Sequence, residues 1–145
     1  MKITNGFLKK HNACKDGYEW TLKQENRELE PFLDALVKDD HWNWANWVIV
    51  RCMNKKQNVQ YAIFAAEQVI HIYEKKYPDD KRPRQAIDAA KAYVENPCAK
   101  TKAADAAYAA YAAANAAYAA AYAAARNKMR LTILNYGIEL VRTRR

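Results

Sequence analysis

Two guanidinium groups lie within five residues of two carboxylates in the run Tyr77-Pro78-Asp79-Asp80-Lys81-Arg82-Pro83-Arg84. Arginine presents a planar fork of donors that matches a carboxylate or phosphate in bidentate fashion. Pro78 and Pro83 stiffen the segment. The run therefore has two readings. Its carboxylates can cap the following helix and pair with the local arginines, which would make it a structural turn. Alternatively, Asp79, Asp80, Arg82 and Arg84 form a preorganised polar patch that contacts a partner.

A second set of residues with chemical potential lies further on. From residue 103 to residue 125 the sequence is alanine interrupted by Asp105, Tyr108, Tyr111, Asn115, Tyr118 and Tyr122. The last five are spaced 3, 4, 3 and 4, which puts them in one narrow helical stripe. The stripe serves either as core, with its hydroxyls at the rim, or as an exposed aromatic surface, for which Tyr118 and Tyr122 are the candidate contacts. No basic residues interleave with these tyrosines, as they usually do where aromatics stack on nucleic-acid bases. Past the stripe, Arg126, Lys128 and Arg130 are candidate anion contacts.

No other segment carries a catalytic pattern. The sequence has no glycine-rich phosphate loop, GxSxG, HExxH or paired CxxC. His11 with Cys14, or Glu67 with His71, falls at helical spacing, but neither pair has further ligands at a readable distance, so no metal or other cofactor is expected. Glu67 and His71 read more simply as an i,i+4 contact. Cys52, on an apolar face with Trp44 and Val48, reads as a buried, inert thiol.

Helices must position these groups. Leu29, Phe32, Leu33, Leu36 and Val37 form one face of a helix over residues 28–38, with Pro31 in its first turn. Asp39 and Asp40 end it and offer an N-cap to the next helix, over 41–53, whose face is Trp44, Trp47, Val48, Arg51 and Cys52 while Trp42 and Ile49 point elsewhere. Residues 54–58 read as a polar joint. A helix over 59–77 follows, then a loop over 78–84, then a helix closed at Asn96-Pro97. Residues 1–27 read as irregular or short helices broken at Gly17. The alanine segment is helical by intrinsic propensity and on the order of 35 Å long. A bend is expected near Asn135 and Gly137 before a basic tail at 142–145. Its length approaches that of a membrane span, but Tyr111, Asn115 and Tyr118 would sit at the bilayer centre, so no span is expected. The expected architecture is one compact all-α domain over residues 1–145, packed around the long Ala/Tyr helix.

The totals agree with a globular domain. The chain has 145 residues, 51% hydrophobic and 28% charged, with 3 Gly and 4 Pro. Three cysteines, Cys14, Cys52 and Cys98, and an N-terminus without a signal-like apolar stretch point to the cytoplasm. The formal charge of +8 is uneven: residues 1–100 carry 17 basic and 14 acidic side chains, residues 101–145 seven and two. That excess favours an anionic partner without naming it.

Several blocks together resemble a known family. They are Trp44-Ala45-Asn46-Trp47-Val48-Ile49-Val50-Arg51, Tyr61-Ala62-Ile63-Phe64-Ala65-Ala66-Glu67, Ile72-Tyr73-Glu74-Lys75-Lys76-Tyr77-Pro78-Asp79-Asp80 and Arg82-Pro83-Arg84-Gln85-Ala86-Ile87, followed by an Ala/Tyr helix. The chain resembles the immunity proteins of bacterial polymorphic toxin systems (the fifth class and its relatives), which also occur in phage and mobile-element genomes. The resemblance spans roughly residues 11–141. It implies a small helical, non-catalytic protein that neutralises a toxin or other effector by stoichiometric binding. A phage or mobile-element protein that blocks a host defence factor has the same chemistry and a different target. The basic C-terminal third leaves a helical nucleic-acid binder as a further alternative. Inhibitors of nuclease toxins tend to be acidic, and this chain is basic, so its target face is expected to be acidic or mainly apolar. The oligomeric state is open.

Overall fold

The computed structural model describes residues 1–96 and 123–143. Among these the fold is all-α, with eight helices and, apart from an isolated bridge between Lys2 and Glu28, no β pairing. The chain divides into two compact units, Met1–Cys52 and Met53–Arg145.

The first unit holds α1 (Asn5–Lys10), α2 (Lys15–Leu22), α3 (Leu29–Lys38) and α4 (Trp42–Cys52). Thr4 caps α1 by accepting a hydrogen bond from the Phe7 N–H at 3.1 Å. The break between α1 and α2 falls at residues 11–14, where Asn12 takes a left-handed φ of 54°. Gly17, the expected break, lies inside α2. Because α1 ends before His11, His11 and Cys14 do not share a helical face: His11 packs on the Phe7 ring and Cys14 is the N-cap of α2.

The predicted face of α3 is buried through Leu29, Phe32, Leu33 and Leu36. In α4 the buried stripe is Ala45, Val48, Ile49 and Cys52. Ile49 thus points into the core, contrary to the expectation, while Trp44 and Trp47 are half-buried beside it. The indoles are large enough to flank the stripe and still pack. Trp44 stacks on His41 at 4.0 Å, and Trp47 lies edge-on to Phe7 and under the Arg51 guanidinium, 4.0 Å from the ring centre. The carboxylates of Asp39 and Asp40 accept hydrogen bonds from the indole N–H groups of Trp20 and Trp42, at 2.9 and 2.7 Å. Cys52 is buried, and burial pushes its thiol pKa up to about 12, which makes it the inert thiol expected.

The second unit holds α5 (Lys55–Glu67), α6 (Ile70–Lys76), α7 (Arg82–Glu95) and α8 (Ala123–Arg142). The expected polar joint at 54–58 is instead the start of α5. Asn54 and Gln57 form a capping box, each side chain accepting from the other's backbone N–H at 2.9 Å. The single helix expected over 59–77 is interrupted at Gln68 and Val69. Val69 and Ile70 are both buried at this turn. The turn separates Glu67 from His71. Glu67 pairs with Lys91 of α7 at 2.6 Å and His71 is exposed.

Val59, Ile63, Ala66 and Ile70 pack against Ile87 and Ala90 of α7. On α8, Ile133, Leu134 and Ile138 are buried, Tyr136 stacks on Phe64 at 4.1 Å, and the Gln57 amide donates to the Leu140 carbonyl. The bend expected near Asn135 and Gly137 is absent, because α8 is continuous there. A lone helical glycine costs roughly 1 kcal/mol, less than this packing returns.

Exchanging Ile49 for alanine is expected to destabilise the protein by about 2–5 kcal/mol, while Asn43→Ala, on the exposed side of α4, changes stability by no more than ~0.5 kcal/mol. Chemical denaturation of the two variants checks the orientation of α4.

Candidate functional site

Pro78 ends α6 by removing the next backbone donor and restraining Tyr77, whose ψ of 72° closes the helix. Four residues after Pro78 α7 begins, with Pro83 in its first turn. This short connection sets the last turn of α6 beside the first turn of α7.

Asp80 is the centre of the turn. Its Oδ1 accepts from the Arg82 backbone N–H at 3.1 Å and from Arg82 Nε at 2.9 Å. Its Oδ2 accepts from Arg82 Nη2 and from the Tyr73 hydroxyl, both at 2.7 Å. Four donors thus converge on one carboxylate. The Asp80 side chain is 18% exposed, whereas that of Arg82 is 86% exposed. Arg84 reaches back across the turn to Glu74, with Nε–Oε1 and Nη2–Oε2 both at 2.8 Å. Lys81 Nζ donates to the Pro78 carbonyl at 2.7 Å. Tyr77 remains 46% exposed, tilted against Tyr73 at 4.9 Å with the Lys76 ammonium 5.3 Å from its ring.

The electrostatics follow from these contacts. The Arg82 guanidinium, then the Tyr73 hydroxyl, hold the Asp80 carboxyl well below the usual carboxylate range. The same bond raises the Tyr73 hydroxyl above its ordinary value, so it stays a donor at neutral pH. Arg84 lowers Glu74, and both arginines are raised by their carboxylate partners.

The structure brings Asp80 and Arg82 into direct contact, as the local-pair reading expected. Arg84 is taken by Glu74 and not by an aspartate of the loop, and Asp79 is exposed. Tyr73, Glu74 and Tyr77 were missed. A signal for them existed: a short proline-bounded turn juxtaposes the two helix ends, so an acid in the last turn of α6 and a base in the first turn of α7 must meet. Tyr118 and Tyr122 lie outside the described residues. The three candidate anion contacts do not share a face. Arg126 and Arg130, one helical turn apart, are partly buried and each has an interaction partner, while the exposed Lys128 projects from another side of α8. Among the described residues, no three His, Cys, Asp or Glu side chains are placed to hold a metal, and no helix is long and apolar enough to cross a membrane.

A family model described as Imm-5 like putative immunity protein matches residues 49–129, more than half of the chain. The chain belongs to this family. The span that this immunity family matches contains α5, α6, α7 and the whole Asp80 turn. No curated protein and no solved structure matches the chain.

The carboxylate titration is a direct check. A group whose folded-state pKa lies below its unfolded value contributes stability above the unfolded value and loses it only as the pH falls through the folded value. Asp80 is therefore expected to remain ionised at pH ~3, below the ordinary aspartate value. Carbon-detected NMR of the side-chain carboxyl should show this. Arg82→Ala should return the titration most of the way to the ordinary range and Tyr73→Phe by a smaller amount.

Proposed function

We propose that the protein is a cytoplasmic immunity protein, or a closely related inhibitor, that neutralises a toxin or other effector by stoichiometric binding and without catalysis. The observation that carries this reading is the family match over residues 49–129, which takes in the turn where Arg82 and Arg84 are each paired bidentately with a carboxylate.

The turn has the properties of a binding anchor. Arginine and tyrosine are enriched at the energetic centres of protein interfaces. Arg82 and Tyr77 are exposed, and Asp80 fixes the arginine before any partner arrives, which reduces the entropy lost on association. Lys75, Lys76 and Lys81 are exposed around them and leave the rim positive. The partner face that fits is acidic, in keeping with the formal charge of +8. In this reading Arg82 makes the central contact, with Arg84, Asp79 and Asp80 around it and Tyr118 and Tyr122 as secondary contacts.

The test is titration of the toxin encoded beside this gene with purified protein, reading toxin activity and calorimetric binding together. Saturable inhibition near equimolar ratio is expected. Arg82→Ala should weaken binding by about tenfold or more, with helicity and melting temperature nearly unchanged. Absence of binding, joined to salt-sensitive affinity for DNA or RNA, would instead place the function in the basic C-terminal third.

A further inference from the structure

The first unit contains a cavity of about 180 Å³. All four of its helices contribute to the wall, through Leu8 of α1, Gly17 of α2, Phe32 and Leu36 of α3, and Trp44 and Val48 of α4. Every lining residue precedes residue 49, so the cavity lies wholly outside the family-matched span and is independent of the turn. The lining is predominantly carbon. Of its polar residues, Thr21 is buried with its hydroxyl donated to the Gly17 carbonyl at 2.7 Å, while Asn12 and Cys14 are exposed residues of the α1–α2 connection and mark the mouth.

Gly17 supplies the second observation. It sits inside α2 in ordinary helical conformation, where glycine is the weakest choice short of proline. A Cβ built there would lie 3.2 Å from Cys14 Sγ and 3.7 Å from the Trp44 ring. A Cβ here would press on the Cys14 thiol, so glycine at this position lets Cys14 and Trp44 approach α2 closely and form this part of the wall.

A pocket walled mainly by leucine, phenylalanine and tryptophan offers water few partners. It also forfeits dispersion contacts that an apolar occupant would restore. An engineered cavity of about 150 Å³ with comparable walls takes up benzene. We infer that the first unit is a binding site for a small, uncharged, apolar molecule about the size of one aromatic ring. Trp44 and Phe32 supply flat faces, and the residue 12–14 turn is the entrance.

Benzene is the probe, applied to the full chain. The expected result is a saturable rise in melting temperature with half-saturation in the sub-millimolar range. Saturating benzene should also slow alkylation of the Cys14 thiol, followed by peptide mapping, at least severalfold. Gly17→Leu fills the space and should abolish both responses. Gly17→Ala, whose methyl pushes the exposed Cys14 thiol aside at the pocket wall, should weaken benzene binding severalfold while the variant remains folded. This milder variant keeps the test valid if the leucine variant does not fold. A response that never saturates, an unchanged Cys14 rate, or equal binding by Gly17→Ala and the parent chain would overturn the assignment.

Discussion

In the second unit α6, α7 and α8 all pack on α5, and the order of that unit follows from this one helix. A segment of seven residues such as α6 has no stable helical state alone in water, because nucleation is unfavourable and too few bonds follow it. It must borrow order from burial, and Ile70 provides it by joining the Val59–Ile63–Ala66 stripe of α5 and Ile87 of α7. The Asn54–Gln57 capping box fixes where α5 starts, and so which residues that stripe presents. Gln57 is used twice, since its amide also reaches the Leu140 carbonyl of α8. A change of register at Asn54 would therefore displace three packed helices along with the first turn of α5.

The Asp80 turn depends on that scaffold. Tyr73 reaches Asp80 from the last turn of α6, a helix that packs on α5. Once in place, Asp80 is saturated by donors and Arg82 loses most of its rotamer freedom. Ion pairs this exposed add little to folding stability, since water screens them and ordering the side chains opposes them. Their physical consequence is positional: they present a cation in a defined direction. That consequence matters for association far more than for folding.

The sequence was most informative where one interaction type dominates. The face of α3, the proline-bounded turn and the burial of Cys52 all follow from local pattern. Reading failed where tertiary contacts compete with local preference. The helical pattern of α4 points Ile49 away from the Trp44–Trp47 face, yet Ile49 is fully buried and the half-buried indoles flank it. Gly17 and Gly137 were read as breaks because glycine disfavours helices, and in each case the backbone stays helical, α8 through the burial of Leu134 and Ile138 on either side of its glycine. The break after Glu67 carries no glycine or proline and had no local signal. The partners of Asp80 and Arg84 were half legible: the pair within the turn is sequence-local, whereas Tyr73 and Glu74 become neighbours only once the chain has reversed.

Two features run against what stability alone would select. An alanine at position 17 would favour α2 by roughly 0.5–1 kcal/mol in propensity, but its methyl would press on the Cys14 thiol 3.2 Å away. A solvated turn could be closed by the prolines and one aspartate, without two bidentate arginines at the surface. Sequences that specify a fold tend to agree with it at every level, and local departures concentrate where a site requires them. The departures here differ in kind. At Gly17 the chain omits a side chain so that Cys14 and Trp44 can close on α2 beside an apolar pocket; at Asp80 it commits donors and acceptors to holding a charge outward. An empty apolar space suits a small uncharged occupant, and a fixed exposed cation suits an acidic macromolecular face. On these two proposals the units carry separate recognition chemistries, an apolar pocket in the first and a fixed surface cation in the second.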